Sequence, residues 1–421
     1  MVKNMDSYFI KRGFFIAFLV LIGLCAGVSA SGMEFTLFIF GNANEDMDID
    51  QLDIDLLEQI IAGSGTETKL ADANQDGVID SADIEQVQAI LDGTASEMFV
   101  QDSRGNPVRV ETPVTRIITF DPMIAESAQA IGAGSLIVGI DEETASRNIP
   151  LPEISKVTTI GASNEPDLEA MVALNPGLVC GLQGFNEDLM RKIEGVGLTP
   201  LAMIYHGDIQ NSLGYSKMLG YLTGNPDKAM EYVGWMSGTL GDIHDTLSEL
   251  STADKARAVY LYPRSGGALG SGGSECPTIK TLEFLGVNTL TESTVGGYYE
   301  IDPEDVIAKD PDYILMEEFG TVLGYGMTDE DLAQEELDKV KARAGFERIS
   351  AVKNDNVFLL DVNMVSHSNC LGGIYMAKAL YPDTLKNVDP YEIHQEYVDK
   401  FLGLKNFDVK TGGIFVYPEL F

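Results

Sequence analysis

Positive charge, tryptophan, histidine and cysteine are all scarce in this sequence. Lysine and arginine number 28 against 65 acidic residues, a net charge of −37 over 421 residues. A surface so anionic makes nucleic acid a poor partner and cations better ones, and it keeps the chain soluble. Four cysteines with no CxxC pair build neither a disulfide scaffold nor a thiolate metal site. Cys180 ends an apolar run and reads as core, while Cys276 and Cys370 are the two left to pair in an oxidising compartment. The four histidines, His206, His244, His367 and His394, form no HExxH, and no serine sits in a GxSxG elbow. Residues 265–274, SGGALGSGGS, lack the Gly-Lys-Ser/Thr ending of a phosphate-binding loop and read as a mobile rim. No catalysis is expected.

Long apolar runs are also missing, with one exception. Lys3, Lys11 and Arg12 precede an apolar run over 13–28, and Val28, Ser29 and Ala30 follow as small residues suited to cleavage. Residues 1–30 therefore read as a secretory signal peptide, with an uncleaved anchor as the rival. The mature chain is expected to be secreted or held at the outer face of the cytoplasmic membrane. Its hydrophobic content of 45% is enough for a real core.

What the sequence does contain begins with a duplication. NANEDMDIDQLD starts at Asn42 and DANQDGVIDSAD at Asp72, an offset of 72 − 42 = 30 residues. Oxygen-bearing side chains fall at positions 1, 3, 5, 9 and 12 of each loop. These are Asn42, Asn44, Asp46, Asp50 and Asp53, then Asp72, Asn74, Asp76, Asp80 and Asp83. Position 7 offers a backbone carbonyl, from Asp48 and Val78. A hard cation takes six to eight oxygens, and this spacing wraps a loop around one. Gly77 at position 6 permits the sharp turn; Met47 and Asn42 depart from the pattern, so of the two Ca²⁺ sites the second is expected to be the stronger. An apolar helix follows each loop. The pair, over residues 40–94, resembles a dockerin module, a small all-α EF-hand-like domain. That resemblance implies Ca²⁺-dependent folding and a cohesin-like partner. Removal of calcium is expected to unfold residues 42–93 and leave the remainder intact.

From about residue 97 strand-like and helix-like segments alternate, which predicts α/β layers with largely parallel strands. Residues 225–250 read as one long helix. Asn225 stands at the cap and Pro226 at the first turn, and Met236, Leu240, Ile243, Leu247 and Leu250 form an apolar stripe. A second repeat spans this helix: residues 167–179 match residues 302–314, with Glu169 over Glu304. RIITFDPMIAESAQAIGAGSLIVGI at 116–140 and NEPDLEAMVALNPGLV at 164–179 resemble the substrate-binding proteins of ABC importers, in the class that handles iron chelates and cobalamin. The resemblance implies an α/β fold of two Rossmann-like lobes, 97–224 and 251–387, joined by the helix 225–250. Residues 388–421 form an extension, with 412–417 suited to an edge strand.

The same resemblance implies one ligand between the lobes, delivered to the importer's permease by a monomeric chain. An iron chelate, of siderophore or haem-like type, or a corrinoid is the expected cargo. One exposed acid per lobe, Glu169 and Glu304, is implied to dock on the permease. Ligands of open α/β sheets sit beyond the carboxyl ends of strands, which selects Phe120, Asp121, Gln183, Tyr205 and His206 in the first lobe. In the second it selects Tyr262, Arg264, Glu317 and His367, with Tyr298 and Tyr299 at the rim. A reading from another class, a calcium-dependent surface scaffold or adhesion protein docking through its module, differs in leaving the cleft without a role.

Overall fold

A computed structural model describes residues 33–182, 187–203, 209–364 and 369–420. The segment 1–30 and four of the selected cleft residues, Gln183, Tyr205, His206 and His367, lie outside the described residues. Among the described residues no helix is long and apolar enough to cross a membrane.

The calcium module is two loop–helix units, with α1 at Gln51–Ile61 and α2 at Ser81–Leu91. A hairpin of β1 (Glu97–Gln101) and β2 (Pro107–Glu111) follows. The first lobe is a parallel five-stranded sheet. Its strands β3 (Ile117–Thr119), β4 (Ile137–Ile140), β5 (Thr158–Thr159), β6 (Leu178–Leu182) and β7 (Pro200–Met203) run in the order β5-β4-β3-β6-β7. Three helices frame its site-bearing edge: α3 (Pro122–Ala130), α4 (Glu142–Ser146) and α5 (Leu168–Ala173). Apolar runs such as LVCGL in β6 suit a sheet covered on both faces.

Helix α6 (Ile209–Leu222) leads into α7 (Pro226–Ser248), whose 23 residues span about 34 Å. Met236, Leu240, Ile243 and Leu247 are all buried along one stripe, as their spacing predicts, and Leu250 lies beyond the helix end. Asn225 occupies the cap position without capping. Its amide instead donates to the Thr223 carbonyl at 3.0 Å.

The second lobe is a seven-stranded mixed sheet. Strand β8 (Arg257–Pro263) is followed by β9 (Leu269–Gly272), β10 (Asn288–Thr289), β11 (Tyr298–Ile301), β12 (Tyr313–Glu318), β14 (Val357–Asp361) and β16 (Val416–Tyr417). The order is β11-β9-β8-β12-β14-β16, with β10 alongside β8. Helix α8 (Pro303–Lys309) precedes β12. Strand β9 corrects the expectation of a mobile glycine-rich rim. It is buried and paired on both sides. Its glycines are there for close approach: a Cβ on Gly270 would lie 2.0 Å from the Tyr262 ring, and one on Gly272 2.4 Å from Cys276 Sγ. All three described cysteines are free and buried, so Cys276 and Cys370 do not bridge.

The extension after residue 388 ties the two lobes together. Strand β16 closes the edge of the second sheet antiparallel to β14, and β15 (Gly413–Ile414) pairs with β13 (Gly324–Tyr325). Helix α9 (Asn369–Leu380) leads to α10 (Pro390–Tyr397), which continues into a π turn at Val398–Leu402. Phe401 and Tyr397 pack on Trp235 of α7, and the Tyr397 hydroxyl bonds Glu126 of α3.

One buried apolar cluster runs from Leu37 and Ile39 through Leu57 and Val87 of the module. It continues through Ile124 and Leu219 of the first lobe, along α7, and on to Tyr260, Tyr375 and Phe415. The module's buried residues are thus continuous with the interior of the first lobe. Residues on both sides of the junction share one packed interior, so calcium loss in the module would be felt at its contact with the first lobe.

Candidate functional site

The calcium loops are built around aspartates that serve two purposes. Asp53 Oδ1 accepts from Asn44 N at 3.1 Å and its Oδ2 from Asp50 N at 2.8 Å. Asp83 repeats this with Asn74 N at 3.2 Å and Asp80 N at 2.8 Å. Asp50 and Asp80 in turn cap α1 and α2, so each loop closes onto its helix through a capping box. Asn44 and Asp46, and likewise Asn74 and Asp76, fold the loop by accepting from backbone N–H groups two residues on.

The fit to a cation is seen in what is left over. Asn42 Oδ1 and Asp72 Oδ1, the position 1 oxygens, are buried and accept no hydrogen bond. An orphaned buried acceptor costs about 1–3 kcal/mol, which a coordinated cation would remove. Burial pushes the Asp53 carboxyl up to about 6 and raises Asp83 as well, although backbone N–H donors oppose the shift. Among the described residues no three acidic, histidine or cysteine side chains stand together as a finished metal cage. Asparagine oxygens and the Asp48 and Val78 carbonyls are therefore needed to complete either shell.

Among the described residues, the selected ones separate into three groups. Phe120 and Asp121 follow β3 and are buried; Asp121 Oδ1 accepts from Met123 N at 2.7 Å and caps α3, and burial raises its carboxyl well above the ordinary range. Glu317 is also interior and takes the Tyr260 hydroxyl as a partner. Tyr262, Arg264 and Tyr298 come together. The Arg264 guanidinium donates to the Tyr262 hydroxyl at 2.9 Å, and the Tyr298 ring meets Tyr262 edge-on at 5.5 Å. Tyr298 is exposed and Tyr299, its neighbour on β11, half-buried, so this end of the second lobe offers aromatic faces and a cation.

A cavity that no sequence selection reached is lined by residues of both lobes. It holds about 240 Å³ and is walled by Ser146–Pro150 from the first lobe, and by Gly320, Leu323–Tyr325, Met327 and Asn363 from the second. Arg147 Nε, Asn363 Oδ1 and, beside Gly324, Asp361 Oδ2 are buried without partners. Burial pushes Asp361 up to about 7, with Arg147 pulling the other way. Glu318 holds the adjoining loop by accepting from the N–H groups of Thr321, Val322 and Leu323. The signal was in the sequence: residues 141–150 follow β4 by the same strand-end rule that selected the others.

Glu169 and Glu304 occupy matching places. Each is exposed in the first turn of a short helix, α5 and α8, whose caps are Asp167 and Asp302. The two histidines within the described residues serve packing. His394 is fully buried between the Tyr325 and Tyr375 hydroxyls and driven down to about 3 by burial, and His244 stacks on Phe284 at 4.3 Å.

Known proteins share this architecture. The chain is similar to an ABC transporter substrate-binding lipoprotein, YvrC of Bacillus subtilis, at 23% identity over 68% of this chain and 86% of that one. It is similar to the molybdate-binding protein MolA of Haemophilus influenzae at 21%, over 72% and 90%. A cobalamin-binding protein of Halobacterium salinarum is 22% identical over 51% of this chain and 57% of its own length. Among solved structures, the TroA-like periplasmic binding protein FepB of Veillonella parvula superposes with a TM-score of 0.63 at 21% identity, covering 76% of this chain and 98% of that one. The dockerin type I domain profile matches residues 41–92. The periplasmic binding protein profile matches residues 117–363, more than half of the chain, and the chain belongs to that family, of ABC transporter type, with a dockerin type I module ahead of its two lobes.

Proposed function

We propose that this protein captures an iron chelate or a corrinoid outside the cytoplasmic membrane and hands it to an ABC importer. The observations that support the reading are an aromatic and cationic group at Tyr262, Arg264 and Tyr298 and a polar cavity lined by residues of both lobes, Arg147 and Asn363 among them. Flat conjugated ligands and chelates with carboxylate arms suit aromatic faces beside a guanidinium. Relatives named for molybdate and cobalamin show how widely cargo varies on this fold. Mass spectrometry of small molecules released from the purified full chain tests the reading, followed by calorimetric titration with the compounds found. Absence of binding to every chelate and corrinoid tried overturns it.

Delivery uses Glu169 and Glu304, exposed acids at matching helix starts, which suit basic pockets on a permease. Charge reversal at both positions, Glu169→Lys with Glu304→Lys, abolishes uptake in a reconstituted importer while leaving ligand affinity unchanged; unaffected uptake removes these residues from the docking role. The dockerin-like module binds Ca²⁺ in both loops and holds the chain to a cohesin-like partner at the cell surface. This is the ordinary role of such a module, and it is compatible with one interior shared with the first lobe.

A further inference from the structure

The two calcium loops match residue for residue, so their carbonyl groups compare directly. In the first loop, donors from outside it hold four of them. Thr68 Oγ1 donates to the Ala43 carbonyl at 2.7 Å, Thr36 Oγ1 to Glu45 at 3.0 Å, Leu37 N to Asp46 at 2.9 Å and Lys217 Nζ to Met47 at 2.7 Å. Lys69 N adds a bond to the Glu45 carboxylate at 2.8 Å. Helix α6, which carries Lys217, also backs the stretch that carries Thr36 and Leu37. A Cβ on Gly214 would lie 2.9 Å from the Thr36 carbonyl oxygen, and the Tyr215 ring meets Phe38 at 5.7 Å. The matching carbonyls of the second loop are those of Ala73, Gln75, Asp76 and Gly77. Among the described residues, no donor from outside the loop reaches any of them. The carboxylates differ in the same sense. The expected ligands of the first loop include Asp46, Asp50 and Asp53, and those of the second include one more, as Asp72, Asp76, Asp80 and Asp83. Asp48, an added acid where the second loop has Val78, is paired with the buried ammonium of Lys217. The four acids of the second loop accept from backbone N–H groups of their own repeat. Like charges gathered in one loop repel, and a cation is what relieves them.

We infer that the first loop keeps its fold without calcium, held by these donors in calcium's place, and that the calcium dependence of the module is confined to the second loop. The inference rests on reading both loops as calcium loops. Calcium entering the first loop adds to a structure already made; in the second loop it makes one. The division follows the attachment to the lobe. Lys217 ties the first loop to α6, while Asp76, Gly77 and Val78 at the turn of the second are exposed. The first loop senses an opening of the second through α2, where a Cβ on Gly41 would lie 2.9 Å from Val87. As calcium falls, the module therefore stays seated on the first lobe and loses the order of its outer loop.

The test is hydrogen–deuterium exchange of the full chain, read by mass spectrometry, in calcium and in excess EGTA. Peptides covering 72–83 are expected to exchange about 100-fold faster in EGTA, and peptides covering 42–53 less than about threefold faster. In Lys217→Met the first loop loses its donor from the lobe, and exchange over 42–53 is expected to become calcium-sensitive by about 10-fold or more. Thr68→Val removes the bond to the Ala43 carbonyl without touching the lobe and is expected to move 42–53 in the same direction. It carries the test if Lys217→Met fails to fold, as its melting temperature in calcium will show. Calorimetric titration of the native chain with calcium chloride separates the two readings. Calcium bound, with both loops opening together in EGTA or with neither opening, overturns the inference alone. A first loop that stays closed in EGTA in both variants overturns it too, because these donors then do not hold the loop. No calcium bound overturns the inference together with the calcium reading.

Discussion

The two calcium loops share a spacing, a closing aspartate and a left-handed residue at position 4, Glu45 with φ 57° and Gln75 with φ 56°. They differ in what surrounds them. The second loop faces solvent: Gly77 takes φ 90°, its N–H donates to Asp72 Oδ2 at 2.9 Å, and Val78 is 58% exposed. The first loop is pressed against the first lobe. Lys217 of α6, itself buried, donates to the Met47 carbonyl at 2.7 Å and pairs with the Asp48 carboxylate. Asn42 Nδ2 donates to the carbonyls of Leu37 at 2.8 Å and Asp46 at 2.7 Å, and Met47 is not among the residues of positive φ. One repeat faces solvent, and the other is tied into an internal joint with the first lobe. Departures from a motif at Asn42 and Met47 are thus read better as docking features than as decay.

The largest effect expected from breaking the comparison is at the closing aspartates. Asp83→Ala removes the proposed position 12 ligand and the capping box of α2 together, and calcium affinity at the second loop is expected to fall by on the order of 100-fold or more in calorimetry. Asp53→Ala is expected to lower affinity at the first loop and to destabilise its contact with the lobe through loss of the α1 capping box. The pH response comes next. The Asp53 carboxyl rises from 3.8 to about 6 in the folded chain, so between those values the native state binds more protons than the unfolded one. The contribution of Asp53 to stability without calcium is then fully present below about pH 4 and is lost as pH rises through 6, by up to about 3 kcal/mol. Calcium cancels that loss, so the gap in melting temperature between calcium and chelator widens over the same window; a gap independent of pH counts against Asp53 as a ligand. Lys217→Met tests the joint. Losing two bonds from a buried ammonium costs about 1–3 kcal/mol, and calcium binding at the first loop changes while the second is unmoved.

Much of this molecule was legible in the order of its residues, and the gaps have physical causes. Leu240, Ile243 and Leu247 report a helix because burial must repeat every three or four residues, and α7 follows. The matched helices at Glu169 and Glu304 were legible because a duplicated unit preserves its capping aspartates. The strand at Leu269–Gly272 was not, since its glycines signal flexibility until the Tyr262 ring and Cys276 sulfur that crowd them are known. Arg147 was missed because its meaning depends on Asp361 and Asn363, more than 200 positions away, and only the approach of the lobes joins them. Trp235 lies under the C-terminal extension, against Tyr397 and Phe401, so its fluorescence follows that extension more directly than the cleft.

The smallest expected effect is also the sharpest test of the comparison. Motif logic says that Met47→Gly, giving the first loop the residue of the second, should strengthen its site. The surroundings of Met47 say otherwise. Its carbonyl is fixed by Lys217, and the Asp46 carbonyl before it receives both Asn42 Nδ2 and Leu37 N, the latter at 2.9 Å. Those three bonds set the directions of the two peptides that flank Met47, Asp46–Met47 and Met47–Asp48, so the freedom glycine brings to φ has nowhere to act. The substitution adds backbone entropy to the unfolded chain, a loss of roughly 0.5–1 kcal/mol of stability, and leaves calcium affinity at the first loop within about twofold. Adding Lys217→Met should release the peptide, and only in that background should Met47→Gly raise affinity. A gain from Met47→Gly alone, measured by calorimetry on the full chain, would mean that the first loop differs from the second by its turn residue and not by its attachment to the lobe.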